Sequence, residues 1–121
     1  MRSICPISNT LDIVGDKWSL LVMRDILFFG KDQYGDFLAS PEGISTNILA
    51  ERLKRLEESD LISRSPYQTN PTRYRYEATA KGKTLKPVLN AMIKWGLNNL
   101  SGTSIPTPEK LRDIRTNPKN S

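Results

Sequence analysis

One stretch of the sequence places polar and charged side chains on a single side of a predicted helix. Ser45 is a good N-cap, and the isoleucine and leucines that follow it recur at helical spacing. Opposite that apolar stripe, Asn47, Glu51 and Lys54 fall within a narrow arc. Such groups bond to base edges and phosphates, so this arc is suited to a DNA groove. The expected DNA-contacting residues in and near this helix are Gln33, Ser45, Thr46, Asn47, Glu51, Arg52, Lys54 and Arg55.

A second set of cations accompanies a predicted turn. Residues 61–65 and 74–78 have the pattern of strands, and the polar residues 68–73 between them favour a turn. The two strands would then form a β-hairpin with a basic tip. From this hairpin we expect Asn70, Arg73 and Arg75 to reach phosphates or a minor groove.

The charge of the chain is unevenly distributed along its length. The formal net charge is +5 over 121 residues. Residues 1–51 contain 4 basic and 7 acidic residues, whereas residues 52–100 contain 10 basic and 4 acidic ones. The second half is therefore the candidate surface for a polyanion, although a solvated surface of uneven charge would look similar.

The residues for most catalytic chemistry are missing from the sequence. There is no histidine and only one cysteine, Cys5, so neither an internal disulfide nor the usual general base is available. We also find no phosphate-binding glycine loop and no zinc-type pattern, and we expect neither an enzyme nor a metal or other cofactor.

Cys5 precedes Pro6 and should lie at the N-cap of the first helix, where the helix dipole and Arg2 favour a thiolate. A small packing residue is the alternative interpretation of Cys5.

The elements that would position these residues follow from apolar periodicity. Leu11, Val14 and Trp18 predict a first helix after Pro6, and the dense apolar stretch 18–29 predicts a central second helix. Residues 33–39 predict a short third helix before the helix capped by Ser45. After the hairpin, Thr79 should cap a last helix over residues 80–100. The predicted fold is mainly α with a β-hairpin wing, a winged helix-turn-helix with N- and C-terminal dimerisation helices.

The last helix has more apolar surface than a small monomer can bury. A second copy of the chain is the simplest partner, and complete internal packing is the alternative. The expected dimer interface comprises Ile4, Leu11, Leu85, Val88, Leu89, Met92, Ile93 and Gly96. A candidate effector pocket between the first helices and the last, for which ordinary core packing is the alternative, comprises Trp18, Phe28, Phe29, Met92 and Trp95.

The length predicts one domain, residues 1–100, followed by a polar, proline-containing tail over residues 101–121. Arg24 and Asp25 interrupt the longest apolar stretch, which is too short for the roughly 20 residues of a bilayer span. With no export signal at the first residues, we expect a cytoplasmic protein without a membrane segment.

Three groups of residues are together similar to the signature of one family. The first group is Cys5, Pro6, Leu11, Asp12, Gly15, Lys17 and Trp18. The second is Gly43, Ile44, Ser45, Leu49, Arg52, Leu53, Leu56 and Glu57. The third is Tyr76, Thr79, Gly82, Leu85, Pro87, Leu89 and Trp95. Over residues 5–100 the sequence resembles the HxlR-type, MarR-like winged helix-turn-helix transcriptional regulators, and it departs from them at Asp16, Tyr34 and Ala78, where glycine, phenylalanine and leucine are common.

The resemblance implies a dimeric regulator that binds double-stranded DNA and responds to reactive chemicals or small effectors. It also implies that Cys5 is a redox or electrophile sensor. Two alternatives remain: a winged helix that binds another protein, and a small-effector regulator without redox sensing. Apolar anchors would be expected on a protein-docking face, and the basic hairpin and polar helix face argue against it.

Overall fold

The computed structural model describes residues 3–105 and residue 107, so most of the predicted tail lies outside the described residues. Helix α1 spans Pro6–Val14, with proline at the first helical position as predicted. It ends where the Gly15 amide donates to the Leu11 carbonyl at 2.8 Å. A Cβ at position 15 would lie 2.3 Å from that carbonyl oxygen, so this joint requires glycine.

Helix α2 spans Lys17–Phe29 and begins at Asp16, its N-cap. The Asp16 carboxylate accepts hydrogen bonds from the amides of Trp18 and Ser19, at 2.9 and 3.0 Å. The prediction that Trp18 continues the first helix is therefore wrong. The chain turns at Gly15, and Trp18 lies in the first turn of α2.

The helix-turn-helix consists of α3, Tyr34–Leu38, and α4, Thr46–Glu58. The Ser45 side chain accepts a hydrogen bond from the Ile48 amide at 3.2 Å, which confirms the predicted N-cap. The Tyr34 hydroxyl donates to the Thr46 carbonyl at 2.8 Å and fixes the start of α4 against α3.

Strands β1, Ile62–Gln68, and β2, Arg73–Ala78, form the predicted antiparallel hairpin. Ile62 pairs with Ala78 at its base, and a bulge between Pro66 and Gln68 precedes the tip. Both strands extend further toward the turn than predicted.

The prediction of one helix over residues 80–100 is wrong in one respect. The segment consists of α5, Ala80–Lys83, and α6, Lys86–Asn99. A continuous α-helix would need a hydrogen bond from the amide of residue 87 to the Lys83 carbonyl, but Pro87 has no amide proton. At the break, the Leu85 amide donates to the Gly82 carbonyl at 3.1 Å. α5 lies close to the residue before β1: a Cβ at Gly82 would lie 2.0 Å from the Leu61 carbonyl oxygen, so this position requires glycine.

Helix α2 lies at the centre of one apolar core, in contact with α1, α4, α6 and β2. The buried apolar residues are Val14, Val22, Met23, Phe37, Ile44, Leu49, Leu53, Leu56, Leu61, Ile62 and Leu89. Tyr76 of the hairpin meets Phe37 of α3 edge to face, with ring centroids 6.2 Å apart. Within the described residues, no helix has the length and apolar character needed to cross a membrane.

Candidate nucleic-acid interface

The first turn of α4 presents polar side chains to solvent. Ser45, Thr46 and Asn47 are exposed, and so is Lys54 two turns further along the helix. Leu49, Leu53 and Leu56 on the opposite side are buried and anchor the helix in the core. In the part of the chain that the structure describes, Lys54 forms no ion pair. The exposed side of α4 therefore keeps hydrogen-bonding groups and one cation available to a ligand.

The two arginines of α4 are arranged differently from the sequence prediction. Arg52 Nε donates to Asp16 Oδ1 at 2.8 Å, and Arg55 Nη1 donates to Asp16 Oδ2 at 3.2 Å. Both guanidinium groups also pair with Glu51, Arg55 through Nη2 at 3.0 Å. Only 18% of the Arg52 side chain is exposed. Arg52, Arg55 and Glu51, which the sequence predicts as DNA contacts, thus form a neutral ring of ion pairs with Asp16.

A second ion-pair network holds the turn before α4. Arg24 of α2 forms a bidentate pair with Glu42, from Nη1 to Oε2 at 2.8 Å and from Nη2 to Oε1 at 2.9 Å. The same guanidinium bonds to Asp25, and the Ser40 hydroxyl donates to the other oxygen of that carboxylate. Burial raises the pKa of Glu42, but the bonds and charge of Arg24 outweigh it and lower that pKa below its ordinary value. This network connects the central helix to the helix-turn-helix.

The hairpin carries one free and two paired arginines. Arg73 and Asn70, at the tip, are exposed, and Arg73 has no ion-pair partner among the described residues. Arg75 Nε pairs with Asp32 Oδ2 at 3.4 Å, and its guanidinium carbon lies 5.1 Å from the Tyr67 ring centroid. Arg64, which is not among the predicted contacts, pairs with Glu57 at 3.3 Å and stacks on Tyr74. Of the three, Arg73 is the one best placed to bind a phosphate.

Gln33 connects the hairpin to the helix-turn-helix. It is the N-cap of α3, partly buried, and its Oε1 accepts a hydrogen bond from the Tyr67 hydroxyl at 3.1 Å. The predicted DNA contact at Gln33 therefore lies between the hairpin and α3, where it positions both.

Comparison with known proteins decides the family of this chain. A sequence model of the HxlR-like helix-turn-helix family matches residues 13–104. The chain belongs to the HxlR-like helix-turn-helix family. An uncharacterised HTH-type transcriptional regulator of Synechocystis sp. is 43% identical over 93 residues, which are 77% of this chain and 68% of that protein. The protein is a transcriptional regulator with a helix-turn-helix DNA-binding fold, which confirms the resemblance and the predicted fold class.

Two solved structures of regulators are similar to this HxlR-like chain. The reduced form of the redox regulator HypR has a TM-score of 0.72 at 29% identity and covers 80% of this chain and 95% of its own. The reduced form of the transcriptional regulator YodB from B. subtilis has a TM-score of 0.66 at 26% identity, and the match covers 84% of this chain and all of that one.

Cys5 of this HxlR-like chain is exposed and stands at the N-cap of α1, as the sequence predicts. Its amide donates to the Ser3 hydroxyl at 3.0 Å, and its carbonyl accepts from the Asn9 amide at 3.0 Å. Among the described residues, no group of three or more cysteine, aspartate and glutamate side chains is arranged to hold a metal ion.

An open apolar groove of about 810 Å³ lies between α1, the start of α2 and α6. Of the predicted interface residues, Leu11, Val88, Leu89, Met92, Ile93 and Gly96 line it. Leu11, Val88 and Met92 are exposed, as is Ile4 near the start of α1, whereas Ile93 and Gly96 are partly covered. Leu89 is 7% exposed because it belongs to the apolar core of the chain, and Leu85 also packs against that core, so neither presents its side chain freely to a partner.

The residues of the predicted effector pocket are not all brought together. Phe28 and Met92 line the groove, but Trp18, Phe29 and Trp95 do not. Trp18 packs against the core below Lys17, Phe29 lies beside Arg24, and Trp95 is 62% exposed. The pocket as predicted is therefore dispersed, and of its five residues only Phe28 and Met92 join the aliphatic and polar residues that line the groove.

Proposed function

We propose that the chain acts as a homodimer that binds a pseudo-palindromic operator in double-stranded DNA. The exposed polar start of α4 carries this proposal, since a recognition helix contacts base edges with its N-terminal residues. Two copies related by a two-fold axis would present these helices to successive major grooves about 34 Å apart.

The wing and the charge distribution support the same function. Arg73 at the exposed hairpin tip would bind a flanking phosphate or a narrow minor groove. Lys54 would add a second phosphate contact from α4. The protein-binding alternative fits less well, because these exposed groups are polar or charged rather than apolar. Binding of this kind needs no catalysis and no cofactor, and a protein that carries it out would act in the cytoplasm, where the DNA is.

The dimer would form through the groove between α1 and α6. Exposed apolar residues line it, including Leu11, Val88, Met92 and Leu97. A contiguous apolar patch of this kind marks an interface rather than ordinary surface. A small effector, if the protein takes one, would then bind next to the subunit interface and act on the dimer geometry.

Selection of genomic fragments by the purified protein tests the DNA-binding proposal. Fragments recovered after several rounds should share an inverted repeat with half-sites one helical turn apart. Recovery of sequences without any common element would reject an operator-binding function.

We further propose that Cys5 reports oxidants or electrophiles to this DNA-binding unit. Its exposure makes the thiol accessible, and HypR, a structural neighbour, is named a redox regulator. With one cysteine, peroxide would oxidise two thiols to a disulfide between subunits, or one Cys5 and a small thiol to a mixed disulfide. In either case peroxide accepts the two electrons and protons and becomes water.

Peroxide or quinone treatment followed by operator binding tests this role of Cys5. Treatment should change the affinity of the native protein at least tenfold, and Cys5→Ser should abolish the response while it preserves binding without oxidant. If native protein and variant respond alike to every reagent, Cys5 is not the sensor.

A further inference from the structure

The arginines of the recognition helix are held by a residue of another helix. We infer that Asp16 is a positioning residue: its carboxylate fixes α4 against the start of α2 and keeps Arg52 and Arg55 away from DNA. This inference rests on the proposed DNA-binding function and specifies how the recognition helix is oriented.

The Asp16 carboxylate is saturated by five hydrogen bonds. Oδ1 accepts from the amides of Trp18 and Ser19 and from Arg52 Nε. Oδ2 accepts from the Ser19 hydroxyl at 2.6 Å and from Arg55 Nη1 at 3.2 Å. Capping α2 would require one oxygen only, which serine or asparagine supplies as well as aspartate. The capping oxygen Oδ1 also accepts from Arg52 and Oδ2 accepts from Arg55, so the negative charge of Asp16 serves both arginines.

The electrostatics of the site agree with this role. Partial burial raises the pKa of Asp16, but the bonds from Ser19, Arg52 and the α2 amides outweigh it and hold that pKa well below its usual range. Asp16 is therefore charged at neutral pH. Hydrogen bonds to a charged acceptor are stronger than neutral ones, so two such bonds fix the rotation of α4 about its axis.

The pairing also determines which cations of α4 remain for DNA. Asp16 and Glu51 together neutralise Arg52 and Arg55, which leaves Lys54 as the unpaired cation of this helix. Neutralised arginines add little non-specific attraction to phosphates, because that attraction grows with the number of available cations. The pairing thus lowers affinity for random DNA and leaves base recognition to the start of α4.

Asp16→Asn separates the charge from the cap. The amide oxygen still caps α2, but both arginines lose Asp16 as a charged partner and share Glu51 alone. We expect affinity for the selected operator to fall and affinity for random DNA of equal length to rise, so that their ratio drops at least tenfold. The salt dependence on random DNA should steepen by about one unit, because Glu51 still offsets one of the two arginine charges.

Glu58→Gln provides the matched control, because it removes one negative charge from an exposed position at the end of α4. It should leave the operator-to-random ratio unchanged. The inference is overturned if Asp16→Asn behaves as this control does, or if it weakens both DNAs equally with an unchanged salt slope. If the native protein itself prefers no sequence, the proposed function fails instead.

A double-mutant cycle tests the contact without DNA. Asp16→Asn combined with Arg52→Gln should show a coupling of at least threefold in the unfolding equilibrium constant measured in urea. The same cycle with Lys54→Gln should show none, because Lys54 does not bond to Asp16. A coupling no larger than that control overturns the role of Asp16, whatever the protein binds.

Discussion

The side chains of the proposed DNA-binding surface differ in whether another residue of the chain already pairs with them. Thr46, Asn47 and Arg73 are exposed and available, whereas Arg52 and Arg55 would have to break ion pairs before they bound a phosphate. An arginine that must give up a carboxylate to bind a phosphate gains less binding free energy than an arginine without an ion-pair partner. Base recognition should therefore depend on the neutral residues at the start of α4, and phosphate binding on the free cations.

Asn47→Ala should weaken operator binding by about 1–3 kcal/mol, the cost of one lost bidentate base contact. Binding to random DNA should change little, because the amide carries no charge. Fluorescence anisotropy with both DNAs measures the two affinities. Asn90→Ala, at an exposed position on α6, should leave both unchanged. An equal loss on the two DNAs after Asn47→Ala would show that Asn47 only supports the helix.

Arg73→Ala should lower affinity for every DNA sequence and reduce the salt slope by about one unit, since one phosphate contact is lost. Titrations at several salt concentrations give the slope. Lys94→Ala removes the same charge from an exposed position on α6 and should leave the slope as it is. If both variants have the affinity and the salt slope of the native protein, the tip of the hairpin does not contact DNA.

Single elements show how far the sequence determines the fold. The N-cap at Ser45, the hairpin and the apolar stripe of α4 follow from local chemistry, and the structure has all three. The joint at Gly15 and the break before Pro87 were missed because apolar spacing continues across both. Ion pairs such as Asp16 with Arg52 join residues 36 positions apart, so nothing in the local sequence indicates them. The departure from the family pattern at Asp16 marks the position as unusual, but it does not identify the arginines that pair with it.

The turn between α3 and α4 depends on the ion pair between Arg24 and Glu42. The Arg24 side chain in this pair is 10% exposed. Glu42→Gln should lower the free energy of unfolding by about 1–3 kcal/mol at pH 7, because it leaves a buried guanidinium with Asp25 as its remaining charged partner there. Urea unfolding measures this difference, and Glu58→Gln serves as the exposed control.

The same pair predicts a pH dependence. The pKa of Glu42 is lower in the folded protein than its ordinary value of 4.5. The charge of Glu42 therefore contributes its full stabilisation of the fold above pH 4.5, and this stabilisation is lost as the pH falls through the lowered pKa. The stability difference between the native protein and Glu42→Gln should therefore narrow below about pH 4. A difference that stays constant from pH 7 to pH 3 would mean that the charge of Glu42 does not stabilise the fold.

At the scale of the molecule, the apolar groove and the DNA-binding surface are connected through α2. Asp16 lines the groove and accepts a hydrogen bond from Arg52 of α4. Arg24 and Glu42 also line the groove, and the ion pair between them connects α2 to the turn that precedes α4. A partner subunit in the groove would therefore rest against the residues that position α4. One subunit alone offers a small recognition surface, and a half-site contact is too weak at ordinary salt for specific binding.

Met92→Glu tests the assembly, because Met92 is 52% exposed in the single subunit and lines the groove. The substitution leaves the core of the subunit intact, but in the proposed dimer it buries an unpaired carboxylate, which costs several kcal/mol. We expect a folded monomer by sedimentation velocity and circular dichroism, and loss of operator binding at least a hundredfold. Asn90→Glu adds the same charge to the opposite side of α6 and should remain dimeric and bind. A Met92→Glu variant that stays dimeric would exclude this face of α6 from the interface, and the spacing of the two recognition helices would then have to be set by another surface.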